Sequence, residues 1–157
     1  RVHRNGGFSE YYYLFPGHFV FKVPDELAAR VDLHIVLAGG LWTQPRYPPE
    51  IAGQTEEEVA DAFQRDAAAE GWGAIGEIGS SMTMHPDERK VLRASCLVHL
   101  RTGLPLFTHT PHQGCRSCPL EQLDIIESMG VDPRLVCLGH LSDITDDATL
   151  YKFKPAG

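Results

Sequence analysis

The chain has 157 residues, 43% of them hydrophobic and 22% charged, with a formal net charge of -7. That size and balance suit one globular domain with a core large enough to bury. An acidic surface repels phosphate backbones, no Lys/Arg-rich run is present, and no apolar stretch approaches the ~20 residues that cross a bilayer, so neither nucleic acid nor membrane is an expected partner.

Arg1 is followed by no signal-peptide pattern, and a chain starting without Met is expected to be a processed or partial product. Phe8–Val23 is apolar and aromatic but is interrupted by Glu10, Pro16, His18 and Lys22; its rings suit an edge strand or a partner surface. Leu33–Ala38 (LHIVLA) reads as a first strand, ended by a turn at Gly39-Gly40, with His34 at its start, away from any site. Thr55–Glu70 reads as a helix. Thr55 and Glu58 form a capping box, Val59, Phe63 and Ala67 recur at helical spacing, and Glu56, Glu57 and Glu58 suit the positive end of the helix dipole.

Ala74–Ile78 (AIGEI) is the second strand. Pro86–Arg101 is a helix with Leu92, Cys96 and Leu100 on one face, stopped by Gly103; His85 and His99 read as capping or surface residues. Leu104–His109 (LPLFTH) is the third strand, Pro119–Ser128 a helix closed by Gly130, and Leu135–His140 (LVCLGH) the fourth strand. Asp143–Leu150 opens a further helix.

Strands alternating with helices mark parallel βα units. The pattern fits either a doubly wound open sheet or part of a TIM barrel. Neither GxGxxG nor GxxxxGK[ST] occurs, which counts against a nucleotide-binding open sheet while leaving both architectures open.

Four cysteines in a chain of this length make no disulfide framework. Cys96 and Cys137 read as small buried hydrophobes, and a reducing cytoplasm is the expected compartment. His109, His112, Cys115 and Cys118 form an H-x₂-H-x₂-C-x₂-C run that offers a zinc knuckle or, through Cys115 and Cys118 before a helix, a thiol redox pair. The plainer reading is a polar loop after the third strand.

The strongest chemical signal is a repeat. Glu77, His109 and His140 stand near the ends of successive strands, 32 residues from 77 to 109 and 31 from 109 to 140, about one βα unit each time. In a parallel barrel every C-terminal strand end points to one face, so the same register on each strand brings the three side chains together. A polar group at the end of a buried strand is costly unless partnered. Two imidazoles and a carboxylate form a zinc set that leaves a coordination position open for water. Each residue taken alone is more often a hydrogen-bonded strand-end group than a ligand.

At these residues the chain resembles the phosphotriesterase-like branch of the amidohydrolase superfamily. The resemblance is carried by Asp32–Trp42 (DLHIVLAGGLW), Gly73–Ser81 (GAIGEIGSS), Gly103–Thr110 (GLPLFTHT) and Val131–Asp147 (VDPRLVCLGHLSDITDD). It implies a partial TIM (β/α)₈ barrel, roughly the third to sixth βα units, over residues 31–157, with 1–30 a non-matching N-terminal segment. It also implies a zinc-dependent hydrolase acting on ester, lactone, amide or phosphotriester bonds of a small molecule by metal-activated hydroxide. The full family site holds two zinc ions; the residues of this chain are expected to hold one. The resemblance puts His109 and His140 on one metal, Glu77 at the bridging position, Trp42 in the substrate pocket and Asp143 beside the site. No H-x-H pair occurs, and the strand-ending Asp of the family's last strand is not found. A non-catalytic remnant of the same fold and a CxxC zinc or thiol module are the alternatives. A half barrel leaves two open sheet edges, so pairing in a homodimer is expected.

Overall fold

Local signals set the elements of this computed structural model, in which residues 36–111 and 115–141 are described. Helix α1 (Glu56–Glu70) begins where Thr55 Oγ1 accepts the Glu58 amide at 3.2 Å and the Glu58 carboxylate accepts the Thr55 amide at 2.8 Å. Val59, Phe63 and Ala67 are buried, and Gly71 ends the helix with a left-handed φ of 71°. Helix α2 (Pro86–Thr102) has Pro86 in its first turn and Gly103 (φ 73°) after its last. Helix α3 spans Cys118–Ser128. The strands are β1 (Ala38–Gly39), β2 (Ala74–Gly79), β3 (Leu106–His109) and β4 (Val136–Gly139). The expected helix at Asp143–Leu150, the aromatic run Phe8–Val23, His34 and Asp143 lie outside the described residues.

The strands are all parallel and lie in the order β1-β2-β3-β4. A doubly wound sheet reverses its strand order at a switch point; this one runs in a single direction. Right-handed crossovers then put every helix on the same side, and α1 packs on α2 and α2 on α3. The architecture is a four-strand arc of a (β/α)₈ barrel. Its core lies between sheet and helices, where Val59, Phe63, Ile75, Ile78, Val91, Leu92 and Leu106 cluster. Each such aliphatic side chain contributes about 1.5–3 kcal/mol by leaving water.

Five expectations are corrected. The turn foreseen at Gly39 is strand: Gly39 pairs with Ile75, and a Cβ there would meet the Trp72 ring at 2.0 Å, so glycine serves close approach. Leu100 is half exposed, while His99 is buried with Nδ1 2.8 Å from the Leu104 carbonyl oxygen. Seven residues return a helix to within about 20° of its starting direction and eight overshoot by about 80°, so His99 falls below Leu92 and Leu100 swings outward. Cys137 is exposed because it pairs with Phe107, which is 42% exposed on the sheet face away from the helices. Cys96 is buried as expected, and burial pushes its thiol up to about 12. Leu135 belongs to a 3₁₀ turn (Pro133–Leu135) rather than to β4.

Candidate metal centre

The three repeat residues do not share one register. Gly79 pairs with His109 and His109 pairs with Gly139, so Glu77 sits two residues before that level and His140 one after it. Two local devices restore the convergence. In β2 the register shifts between Ile75, paired with Leu106, and Ile78, paired with Thr108, which inserts one extra residue on β2. An inserted residue breaks strict alternation. Ile75 and Ile78 therefore both bury themselves, while Glu77 is 44% exposed. Gly76 makes the bulge possible: its φ is 139°, and a Cβ would lie 2.5 Å from the Phe107 carbonyl oxygen.

The second device is His140. By strand alternation it would follow Val136 and Leu138, which pack against the core. Instead it has left β4 and takes a φ of 61°, a left-handed conformation uncommon outside glycine. Its ring meets that of His109 with centroids 4.4 Å apart and planes at 71°. His109 Nδ1 lies 2.9 Å from Glu77 Oε1, and one ligand atom from each of Glu77, His109 and His140 falls within 4.8 Å of the others.

The donor set fits a divalent cation. Zinc accepts imidazole nitrogen and carboxylate oxygen at about 2.0–2.2 Å, so two ligands of one ion stand at most about 4.4 Å apart, and small side-chain rotations bridge the difference. Trp42 lies against the site with its ring edge-on to His109, centroids 5.4 Å apart. Gly79 admits it, since a Cβ there would meet Trp42 Cδ1 at 2.4 Å.

Around these residues is a layer of polar groups that the repeat does not reveal. Gln122, 1% exposed on α3, donates to the His109 carbonyl at 3.2 Å and to Ser80 Oγ at 2.8 Å, and accepts from Thr108 Oγ1 at 2.7 Å. Ser80 also donates its amide to the His109 carbonyl at 3.1 Å. Thr110 Oγ1 donates to the Gly139 carbonyl at 2.7 Å, joining the ends of β3 and β4. Gln122 gives no sequence signal beyond a helical position in phase with Cys118 and Ile126. Glu88, also 1% exposed, accepts from the amides of Gln44, Ser81 and His85 and from Ser81 Oγ. Burial alone would raise its pKa, but those bonds favour the carboxylate more strongly and hold it below the usual carboxylate range. The capping-box spacing from His85 to Glu88 was a legible trace of it.

The H-x₂-H-x₂-C-x₂-C run does not form a knuckle. Cys115 and Cys118 are joined in a disulfide, His109 faces Glu77 and His140, and His112 lies outside the described residues.

Residues 20–157 match the model of the phosphotriesterase family. The chain belongs to that family. It is 34% identical over 155 residues to the phosphotriesterase homology protein of Mycobacterium tuberculosis, covering 90% of this chain and 46% of that one. The N-acetyltaurine hydrolase of Danio rerio is 29% identical over 139 residues, covering 84% and 39%. Among solved structures, the Escherichia coli phosphotriesterase homology protein complexed with phosphate in its active site superposes with a TM-score of 0.66 at 30% identity, over 73% of this chain and 41% of that one. A resiniferatoxin-binding protein from Rhodobacter sphaeroides gives 0.73 at 28% identity, over 82% and 37%. The chain thus spans less than half the length of these phosphotriesterase-family relatives. Among the described residues no helix is long and apolar enough to cross a membrane.

Proposed function

We propose that this phosphotriesterase-family chain forms part of a zinc-dependent hydrolase, with Glu77, His109 and His140 as ligands of one zinc ion. The observation that carries the reading is the meeting of these three side chains from separate strands within 4.8 Å. A bound divalent cation supplies Lewis acidity and makes hydroxide available at neutral pH. The chain's own residues hold and orient that chemistry. Glu77 offers a negative oxygen at the sheet's open face, and a carboxylate can serve two cations where a second is present. Gln122 and Ser80 fix the His109 backbone, so its ring needs little reorganisation on binding. Trp42 offers an apolar wall beside His109 against which a small substrate can lie.

The relatives named for N-acetyltaurine hydrolysis favour an amide as the bond cleaved, within a class that also includes esters, lactones and phosphotriesters. The cytoplasm is the proposed compartment, and copies pairing through their open sheet edges is the proposed assembly. Metal analysis with a substrate panel tests the reading. The purified chain is expected to bind about one zinc, with Glu77→Ala and His140→Ala lowering zinc affinity at least tenfold to a hundredfold while the fold persists. Zinc affinity unchanged by both substitutions would sink it. A chain that binds zinc but turns over no amide, ester, lactone or phosphotriester would instead be a non-catalytic remnant.

A further inference from the structure

We infer that Cys115 and Cys118 form a reversible thiol–disulfide exchange site whose state is transmitted along α3 to the His109 ligand. The reactant class is a dithiol. Only the expected change in zinc affinity rests on the metal reading above; the exchange and its coupling to the His109 ring do not.

The two sulfurs differ in access. Cys118 is buried in the first turn of α3, whereas Cys115 lies before the helix and is partly exposed. Attack is therefore directed at Cys115. The Cys118 amide donates to Cys115 Sγ at 3.2 Å, and Ser117 Oγ lies 3.6 Å from it. Donors of this kind at a helix N-terminus stabilise a thiolate, which makes that sulfur both a good nucleophile and a good leaving group. The balance is simple. One thiolate of the reductant bonds to Cys115 Sγ, the S–S bond breaks, and its electron pair leaves on Cys118 Sγ, which takes a proton. The reductant's second thiolate then closes onto its first sulfur and expels Cys115 as a thiolate, which is protonated in turn. Two electrons and two protons pass to the protein, and the reductant becomes a cyclic disulfide.

The path to the metal centre is short. Cys118 and Gln122 are four residues apart, one turn along the same buried face of α3. Gln122 holds the His109 carbonyl, Ser80 and Thr108. Cys118 Sγ also lies 3.5 Å from the Met82 carbonyl oxygen, in the loop that begins at Ser80. Opening the disulfide frees the start of α3 one turn before Gln122 and beside the loop that begins at Ser80, and Gln122 and Ser80 both donate to the His109 carbonyl.

The test is a titration of the purified chain with mixtures of reduced and oxidised dithiothreitol. Alkylation and mass analysis count the thiols, and Zn²⁺ affinity and the His109 ring resonances in the metal-free chain are measured at each end point. Two further thiols, at 115 and 118, are expected to appear and disappear reversibly. The His109 resonances should shift between the two forms, and zinc affinity should differ by about tenfold, as for groups that orient a ligand. The affinity difference should vanish in Cys118→Ser, and should shrink in Gln122→Met while the thiols still cycle. Thiols that do not cycle, or a His109 signal identical in both forms, overturn the inference. If zinc binds neither form but the His109 signal shifts, the metal reading fails and the exchange site with its coupling to His109 stands. If zinc binds both forms equally and the signal does not move, the metal reading survives alone.

Discussion

The two faces of the sheet solve different problems with alternate residues of the same strands. On the helix side, Ile75, Ile78 and Leu106 are almost fully buried, and Thr108 satisfies its hydroxyl on Gln122. On the other side stand Phe107 and Cys137, both exposed, with Glu77, His109 and Trp42 near the strand ends. The helix side carries the apolar burial that holds the arc together. Among the described residues the open side carries little apolar packing and the cluster of Glu77, His109 and His140. The lesson is that in this arc residues can be exchanged for chemistry on one face without disturbing stability on the other.

That comparison can be broken by mutation. The largest effect is expected from Ile78→Ala or Leu106→Ala, each costing about 2–5 kcal/mol through lost transfer energy and a cavity. Phe107→Ala on the open face should cost well under half as much in the same denaturant titration. Equal losses would mean that the open face is packed in solution, most simply against a second copy, and light scattering would then report a dimer.

A smaller effect is expected at Glu88, whose bonds tie the loops after β1 and β2 to the start of α2. Its folded pKa is lowered, so its contribution is fully present above its unfolded value of about 4.3 and is lost as pH falls through the folded value. Glu88→Gln should cost roughly 1–3 kcal/mol at pH 7 and flatten the fall in stability on acidification, measured by urea unfolding across pH 3 to about 7. An unchanged acid slope would show that other carboxylates carry it.

The smallest effect belongs to Tyr47. Its hydroxyl is buried without a hydrogen-bond partner among the described residues, and burial, with the Glu88 and Asp87 charges, pushes its pKa upward. Tyr47→Phe removes a polar group that gains nothing from burial, so thermal unfolding should shift by less than about 1 kcal/mol, toward greater stability. Clear destabilisation would reveal a partner for the hydroxyl.

Much of this was legible from local chemistry. Thr55 with Glu58, and Gly103, marked helix ends because capping is a matter of nearest neighbours. The meeting of Glu77, His109 and His140 was legible from spacing, because βα units repeat at similar lengths. The route to that meeting was not. Spacing suggested a common register, whereas the structure reaches the same end by a bulge at Glu77 and a left-handed turn at His140. Both depend on backbone geometry that a residue pattern does not encode. Gln122 was invisible for a related reason: a buried amide on a helix is distinguished only by what stands opposite it, and its partners come from two other segments.

The extra residue in β2 has a wider meaning. Because Ile75 and Ile78 are buried on either side of the shift while the Glu77 side chain leaves on the open face, position 77 is set apart from the interior packing. Under the proposed zinc reading, an exchange at position 77 would change the charge offered to the ion while the buried side of β2 is kept.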